Sequence, residues 1–205
     1  MSPQQRAEET RIRIMEVAEA CFANQGYDAT GLTEICRQAG VSKGAFYHHF
    51  PSKQALFLEL LNAWLQKLDA QLEVVRADSA DVPDAILRMA QTMCTIIREQ
   101  RGQLPILCEF WVKAARDPVV WEAAVAPYRR YRDYFAGMIK SGVENKAFHV
   151  DDPDLVAQML VSLAIGLLLQ GLLDVDGTDW GDVALRSVSM LLHHIKGEGP
   201  DEGIS

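Results

Sequence analysis

The stretch G-L-T-E-I-C-R-Q-A-G-V-S-K-G-A-F-Y-H-H-F, from Gly31 to Phe50, decides the fold of the first part of this chain. Apolar residues recur in its first half at the spacing of one helix face: Leu32, Ile35, Cys36 and Ala39. Gly40 ends that helix, because glycine readily adopts the positive φ of a tight turn. Ser42 is a suitable N-cap for a second, short helix, which Pro51 stops. The pattern therefore predicts a helix-turn-helix unit.

The second helix of this unit carries residues that are suited to contact DNA. In a helix-turn-helix unit the second helix lies in the major groove, with its N-terminal residues near the base edges. Here those residues are Lys43, Gly44 and Ala45, and the two small ones let the backbone approach closely. Tyr47 and His49 lie on adjoining faces one turn later. We expect Phe46 and Phe50 to take the core positions, which leaves Tyr47 facing outward.

Charge is distributed unevenly along the chain. The 205 residues have a formal net charge of −8, which argues against a protein that coats nucleic acid over its whole surface. Residues 1–77 contribute 8 Lys/Arg and 9 Asp/Glu, a net of −1, and residues 78–205 contribute 12 and 19, a net of −7. No acidic residue occurs from Arg37 to Lys53. We therefore expect this segment to face DNA, with Lys53 on a phosphate at the start of its helix.

The run T-G-L-T-E-I-C-R-Q-A-G-V-S-K-G-A-F-Y-H-H-F-P-S-K-Q-A-L-F, residues 30–57, resembles the DNA-binding signature of TetR-type transcriptional regulators. The preceding A-x-x-C-F-A-N-Q-G-Y-D-A-T is similar to the first helix and loop of that family. The resemblance covers roughly residues 8–68. It implies an all-α homodimer with a three-helix DNA-binding head at 8–68 and a larger C-terminal ligand-binding and dimerisation body at 69–205.

By position, the resemblance implies DNA contacts from seven residues: Thr33, Lys43, Gly44, Ala45, Tyr47, His49 and Lys53. We add Ser42, at the start of the recognition helix, to this set. Ala45 departs from the hydroxyl residue often found at its position in the family, which removes one possible phosphate or base contact.

The rest of the chain is also helical in pattern, and about nine helices are predicted in all. Thr30 is a plausible N-cap for the first helix of the helix-turn-helix unit. Residues 78–84 form a linker, Arg101-Gly102 ends a helix, and residues 174–179 form a turn. Pro127 should kink or break the helix around it. The tail after Lys196 is expected to fray.

The C-terminal body has large, adaptable side chains on its inner helix faces, as small-molecule pockets do. Residue by residue, the pattern favours ordinary core packing over a pocket, whereas the resemblance implies a ligand cavity among the fourth to seventh helices. We expect a moderately large, aromatic or apolar effector. The candidate pocket residues are Trp64, Met93, Cys94, Cys108, Trp111, Tyr128, Tyr131 and Phe135.

Residues 155–173 form an apolar segment that approaches the length of a membrane span. Polar residues interrupt it and acidic residues flank it, so we expect a buried helix in a cytoplasmic protein without a membrane partner. With residues 180–195 it is expected to form a four-helix dimer interface. The candidate interface residues are Leu155, Met159, Ser162, Gly166, Leu169, Trp180, Val183 and Leu191.

Other chemistry is weakly indicated. His48-His49 and His193-His194 are adjacent on their helices and cannot converge on one metal ion, so no metal or other cofactor is expected. Residues 128–135 could form a second nucleic-acid patch, but the helix period favours solvated arginines over an aromatic inner face. The four cysteines suggest buried thiols, with redox sensing as the alternative.

The sequence also contains no nucleophile–base arrangement and no glycine-rich phosphate loop, which argues against an enzyme. The predicted function is that of a homodimeric repressor, released from a palindromic operator in double-stranded DNA by a small-molecule effector. A transcriptional activator of the same fold, and a helical interaction module or an enzyme without a DNA role, remain as alternatives.

Overall fold

The computed structural model describes residues 2–99, 104–174 and 177–196, and these residues form nine α-helices without a strand. The helices are α1 (Pro3–Gln25), α2 (Leu32–Ala39), α3 (Lys43–His49), α4 (Lys53–Ala77), α5 (Val82–Glu99), α6 (Leu104–Ala114), α7 (Pro118–Glu144), α8 (Pro153–Leu173) and α9 (Trp180–Lys196). The all-α prediction is confirmed. The helix end predicted at Arg101-Gly102, residues 175–176 of the predicted turn and the tail after Lys196 lie outside the described residues.

The start of α2 differs from the sequence expectation. Gly31, not Thr30, is its N-cap, and no side chain caps it. Thr30 is fully buried, and its hydroxyl donates to the Gly26 carbonyl at 2.7 Å and to the Cys21 carbonyl at 3.2 Å. The threonine hydroxyl therefore forms its hydrogen bonds with the loop before α2 and with the end of α1, not with the first turn of α2. A residue with capping chemistry was assigned one position too early, because sequence alone does not show which backbone group its hydroxyl reaches.

Side chains cap the starts of two other helices. The Ser52 hydroxyl accepts from the Ala55 N–H at 3.0 Å at the start of α4. Asp152 caps α8, where its carboxylate accepts from the Leu155 N–H at 2.9 Å. Pro127 does not break the helix around it, since α7 continues through this residue to Glu144, and the alternative of a kink stays a prediction.

The chain divides into two compact units. The first comprises the described residues of Met1–Lys67 and Gly102–Ala124, and the second those of Leu68–Arg101 and Val125–Ser205. The division falls inside α4 and inside α7. The sequence expectation placed everything after residue 68 in one body, whereas the structure groups α6 with the helix-turn-helix unit.

Aromatic packing explains why α6 belongs to the first unit. The rings of Phe57 on α4 and Phe110 on α6 stack at 4.0 Å with an interplanar angle of 5°. Phe22 on α1 meets Phe57 edge-on at 5.4 Å, and Tyr27 lies 4.3 Å from the same ring. Phe22, Phe57 and Phe110 are almost completely buried. Their burial contributes to the hydrophobic stabilisation of this unit.

The second unit has its own apolar core, built from α5, α7, α8 and α9 together with Leu72 of α4 and Phe148. Ile139 and Phe148 are its most buried large side chains. Gly142 lies directly against the Phe148 ring, and a Cβ atom at this position would overlap the ring. A residue without a side chain is therefore required where α7 passes Phe148.

Helix α8 does not have the burial predicted for it. Among the described residues it is the one helix long and apolar enough to cross a membrane by length and composition, and 28% of that window is buried within the chain. Leu155 is 55% exposed and Met159 47% exposed. The burial of α8 is therefore only partial within the described residues of one chain, where one face of the helix is exposed.

The glycines of α7 offer a test of the second core. Gly142→Ala should lower the free energy of unfolding by about 1–3 kcal/mol, because a methyl group overpacks the buried Phe148 ring. Gly137→Ala is the matched control in the same helix. In the described part of the chain no neighbouring atom lies within 4 Å of the added Cβ, so this variant should be more stable by about 0.5–1 kcal/mol through helix propensity. Thermal and urea denaturation measure both, and an equal gain in the two variants would contradict the packing.

Candidate nucleic-acid interface

The turn between α2 and α3 has the geometry of a helix-turn-helix unit. Gly40 has φ 64° and ψ 36°, and its N–H donates to the Arg37 carbonyl at 3.3 Å. The Val41 N–H donates to the Cys36 carbonyl at 3.0 Å. The Ser42 hydroxyl accepts from the Ala45 N–H at 3.0 Å and so caps α3. Both predicted roles, the left-handed glycine and the serine cap, are confirmed.

The aromatic residues of α3 divide between core and surface. Phe46 is 0% exposed and Phe50 3% exposed, whereas Tyr47 is 54% exposed. The Tyr47 ring meets the Phe46 ring edge-on at 5.6 Å, and its hydroxyl has no hydrogen-bond partner within the part of the chain that the structure describes. The expected division of the three rings is confirmed. A large ring with a free hydroxyl therefore projects from the recognition helix.

Most of the remaining predicted contact residues lie at the surface. Thr33, Ser42, Lys43 and Gly44 are exposed, and Ala45 is half-buried. A Cβ atom on Gly44 would meet only the Ser42 hydroxyl oxygen, at an ordinary contact distance of 3.7 Å. The fold itself therefore does not require glycine at this position. A requirement for glycine would come from a molecule that approaches the start of α3.

The charge of this surface depends on one lysine. Arg37 on α2 is held by Glu34 in two hydrogen bonds of 2.5 and 2.9 Å. These bonds, and one from Gln38, lower the pKa of Glu34 to about 2, so the pair is charged and locally neutral near pH 7. Lys43 is exposed, and no ion pair involves it within the described part of the chain. Lys43 therefore supplies the uncompensated positive charge of α2 and α3.

His49 provides a second, conditional charge at the end of α3. It is half-buried, and burial is the main cause that lowers its pKa below the ordinary value of 6.5. The neighbouring His48 and Arg11 lower this pKa further, and Glu8 opposes them. His49 is therefore neutral near pH 7 and gains its charge only under acidic conditions.

Lys53 is placed differently from the other predicted contacts. Its ammonium donates to the Tyr27 carbonyl at 2.7 Å and to the Thr30 carbonyl at 2.8 Å. The ammonium nitrogen also lies 4.2 Å from the centroid of the Tyr27 ring. The expected free ammonium at the start of α4 is therefore not observed, since two of its three N–H donors serve the α1–α2 loop.

The sequence interpretation missed a set of contacts around this loop. Glu109 on α6 accepts from the Tyr27 N–H at 2.6 Å. Lys113, one turn later, lies 3.0 Å from the Asp28 carboxylate and 4.3 Å from the Tyr27 ring centroid. Glu109 is separated from Tyr27 by 82 positions. No local pattern joins such distant residues, so only the packing of α6 shows the contact.

The eight candidate pocket residues are divided between the two compact units. Trp64, Cys108 and Trp111 belong to the first, and Met93, Cys94, Tyr128, Tyr131 and Phe135 to the second. Cys94 is buried and the other seven are half-buried. An open depression of about 920 Å³ on α5 and α9 involves none of them. Its lining residues are Leu87, Gln91, Val183, Leu185, Arg186, Ser187, Ser189, Met190 and His193.

Two of these candidates have polar partners in the second unit. The Tyr131 hydroxyl donates to Asp69 at 2.7 Å, and burial together with this carboxylate raises its pKa well above its usual range. The Gln158 amide donates to the Tyr128 hydroxyl at 2.5 Å. Tyr131 therefore links α7 to α4, and Tyr128 links α7 to α8.

The eight candidate interface residues also differ in exposure. Leu155, Met159 and Ser162 are exposed along one face of α8, and the other five are half-buried. The Trp180 indole N–H donates to the Asp174 carbonyl at 3.0 Å, so this ring closes the α8–α9 connection. The exposed face of α8 is the part of the predicted interface that remains free for a partner.

The cysteines are free thiols in apolar surroundings. Cys21, Cys36 and Cys94 are buried, and Cys108 is half-buried. Burial is the main cause that raises the pKa of each thiol. A raised pKa reduces the thiolate fraction near pH 7 and with it the reactivity of the sulfur. This environment supports the interpretation as buried thiols.

Comparison with known proteins identifies two matching family models. One, described as bacterial regulatory proteins of the tetR family, matches residues 14–60. The other, the C-terminal part of BetI-type transcriptional repressors, matches residues 82–196. The second match alone covers more than half of the 205 residues.

Individual proteins resemble the chain over most of its length. The transcriptional regulator UidR of Escherichia coli is 24% identical over 176 residues, which are 86% of each chain. A transcriptional regulator from Saccharomonospora viridis, solved in complex with choline, has a TM-score of 0.80 at 24% identity over 91% of this chain and 97% of that one. FadR of Bacillus subtilis, solved with stearoyl-CoA, has a TM-score of 0.79 at 14% identity over 90% and 98%. The two structures show the same fold.

Gly44→Ala tests whether DNA approaches the start of α3 closely. The substitution should raise stability by about 0.5–1 kcal/mol through helix propensity, because the fold has space for the methyl group. We expect DNA affinity to fall nevertheless. Fluorescence anisotropy with labelled duplexes measures it, and Gly137→Ala is the control that should keep full affinity. Unchanged affinity in Gly44→Ala would mean that DNA does not need this space.

The His49 imidazole predicts a specific pH dependence. As the pH falls below about 6.5, His49 gains a proton, and the new positive charge should strengthen DNA binding. The parent protein should therefore gain more affinity between pH 7 and pH 5.5 than His49→Gln, measured at constant ionic strength. His48 is present in both proteins, so the difference between them reports His49.

The same lowered pKa has the opposite effect on stability. Unfolded protein binds this proton more readily than folded protein, so the stability contribution is complete above about pH 6.5 and is lost as the pH falls below it. Stability should thus decline more steeply in the parent than in His49→Gln as the pH falls.

For DNA binding, identical dependence of affinity on pH in the two proteins would contradict a place for His49 at the interface.

Proposed function

Because the chain belongs to the TetR family of bacterial regulatory proteins, we propose that it is a homodimeric repressor that leaves a palindromic operator when a small effector binds. The observation that carries this proposal is the surface of α3, where exposed Lys43, Gly44 and Tyr47 lie in a segment without acidic residues. The proposed DNA contacts are Thr33, Ser42, Lys43, Gly44, Ala45, Tyr47 and His49.

Each contact residue has a proposed role. Lys43 is placed to reach a guanine edge, since lysine pairs with the O6 and N7 atoms of guanine in the major groove. The Tyr47 hydroxyl is free to donate to a phosphate, which fixes the protein on the duplex but carries no sequence information. Gly44 allows the start of α3 to approach the backbone. The recognition helix would thus combine one specific contact with several positioning ones.

The dimer is proposed from the uncovered face of α8. Leu155 and Met159 are about half exposed although α8 is the most apolar helix of the described residues, and Gly166 continues their stripe. A second copy would cover this face through a four-helix interface. Two recognition helices can enter successive major grooves only when they lie about 34–36 Å apart. Dimerisation is therefore a requirement for binding to a palindrome.

The effector is proposed to act through α6. Cys108 and Trp111 on this helix are candidate pocket residues, and Glu109 and Lys113 on the same helix hold the α1–α2 loop. A ligand that moves α6 would therefore also move this loop. An effector lowers DNA affinity only by as much as it prefers the protein conformation that does not fit the operator. The related structures contain choline and stearoyl-CoA, so ligand chemistry in this fold varies widely.

Selection of duplexes from a random pool tests the DNA function directly. The parent protein should enrich a palindrome, whereas Lys43→Ala should bind the same duplex more weakly, with relaxed preference at one base pair in each half-site. A screen of metabolites for release from that duplex then identifies the effector, and a reporter gene separates repression from activation. Failure of the parent to enrich any duplex would falsify the proposed function.

Gly166→Arg tests the proposed dimer interface. Apart from the backbone of its own helix turn, no atom of the described residues lies within 4 Å of a Cβ at this position, so one subunit should still fold. An arginine there would meet the partner instead, and the variant should be monomeric by light scattering and lose operator binding. Gly137→Arg, which is equally open but lies on α7, should remain dimeric. A dimeric Gly166→Arg with full operator affinity would exclude this face as the interface.

A further inference from the structure

Lys53 is the first residue of α4, but its ammonium is directed to the loop between α1 and α2. It donates to the carbonyls of Tyr27 and Thr30, at 2.7 and 2.8 Å, and lies over the Tyr27 ring. Both acceptor residues are buried, with exposures of 8% and 0%. A buried carbonyl without a partner is destabilising, so this ammonium satisfies two groups that the loop itself leaves open.

The loop that Lys53 holds leads directly into α2. Thr30 precedes Gly31, the N-cap of α2, and the Gly31 carbonyl accepts from the N–H groups of Glu34 and Ile35 at 3.0 and 3.2 Å. Thr33 lies in this first turn and is exposed. The Lys53 ammonium therefore fixes the residue that comes immediately before the cap of the first helix of the DNA-binding unit.

The surroundings of Lys53 also make its ammonium less available for contact with a molecule outside the protein. An ammonium has three N–H donors, and two are used by the loop carbonyls. The side chain is half-buried, and burial lowers its pKa, while Asp28 opposes this and Lys113 adds to it. Lys43, in contrast, is exposed and not ion-paired among the described residues. The two lysines of the acid-free segment thus have different environments.

We propose that Lys53 is a positioning residue for DNA binding, which holds the Tyr27–Thr30 loop and the start of α2 in place and does not neutralise a phosphate. Its loss would leave the number of protein–phosphate ion pairs unchanged. It would instead allow α2 to shift relative to α3, so that Thr33 and the recognition helix no longer fit the duplex together. The proposal rests on DNA contact by α2 and α3, as proposed above.

The dependence of affinity on salt separates the two roles. Each neutralised phosphate contributes about 0.9 to the slope of log affinity against log salt, so a lost contact makes the slope shallower by about one unit, or about two in a dimer. A positioning residue changes affinity by a similar factor at every salt concentration. Salt titration therefore distinguishes an internal ammonium from one that faces DNA.

The experiment compares Lys53→Met with Lys43→Ala on the duplex that the parent selects. Methionine keeps the unbranched apolar stem and removes the ammonium. We expect Lys53→Met to lose about tenfold or more in affinity, since hydrogen bonds to charged groups are worth more than neutral ones, with a slope parallel to that of the parent. Lys43→Ala, which removes the proposed guanine contact, should bind this duplex more weakly and relax the preference at one base pair in each half-site. A slope for Lys53→Met that is shallower than that of the parent by about one unit, or about two in a dimer, would overturn the proposal.

A second measurement separates positioning from a merely structural role. Amide hydrogen exchange at Glu34 and Ile35 should be faster in folded Lys53→Met than in the parent, and unchanged in Lys43→Ala. Full affinity of the folded Lys53→Met protein, with only a lower melting temperature, would also overturn the proposal. If Lys53→Met does not fold, Lys53→Gln, which keeps an N–H donor without the charge, takes its place and should retain the parental slope. A parent that binds no duplex at all would instead remove the DNA function itself.

Discussion

The loop between α1 and α2 buries Tyr27 and Thr30, and the backbone polar groups of these two residues must still find partners. Lys53 on α4 supplies donors to two of its carbonyls, and Glu109 on α6 accepts from the N–H of Tyr27. Thr30 satisfies the end of α1 with its own hydroxyl. The backbone of this loop has no helix or strand in which to form its hydrogen bonds. The side chains of Lys53, Glu109 and Thr30 provide the partners instead. The placement of α2, and with it the recognition surface, depends on these few contacts.

Much of the fold could be predicted because its signals are local. A glycine at the end of α2, a serine before α3 and the spacing of Phe46 and Phe50 each act over four residues or fewer, and sequence shows them directly. The outward direction of Tyr47 follows from the same helical period. These features are fixed by backbone geometry and hydrogen bonding within one turn.

The features that could not be predicted depend on packing between distant segments. Nothing near Phe110 shows that its ring stacks on Phe57, yet this contact places α6 in the first unit. Lys53 illustrates the limit most clearly. A lysine beside an acid-free, DNA-binding segment has the same chemistry whether it faces a phosphate or two carbonyls, and only the structure shows which partners it has. The division of the candidate pocket residues between the two units could not be predicted for the same reason. Apolar periodicity indicates the inner face of a helix, but it does not show in which unit that face packs.

The distribution of charge has a consequence for how this surface can discriminate between DNA sequences. Arg37 is paired with Glu34, Arg11 with Glu59, and Lys113 with Asp28, while Lys53 serves the loop. Each of these cations stabilises the first unit and contributes little to its long-range field. A recognition surface with few free charges has weak non-specific affinity, since that affinity comes from phosphate neutralisation. Discrimination then rests on the fit of α3 in the groove, which makes the contacts that hold α2 and α3 in register more important than the number of basic residues.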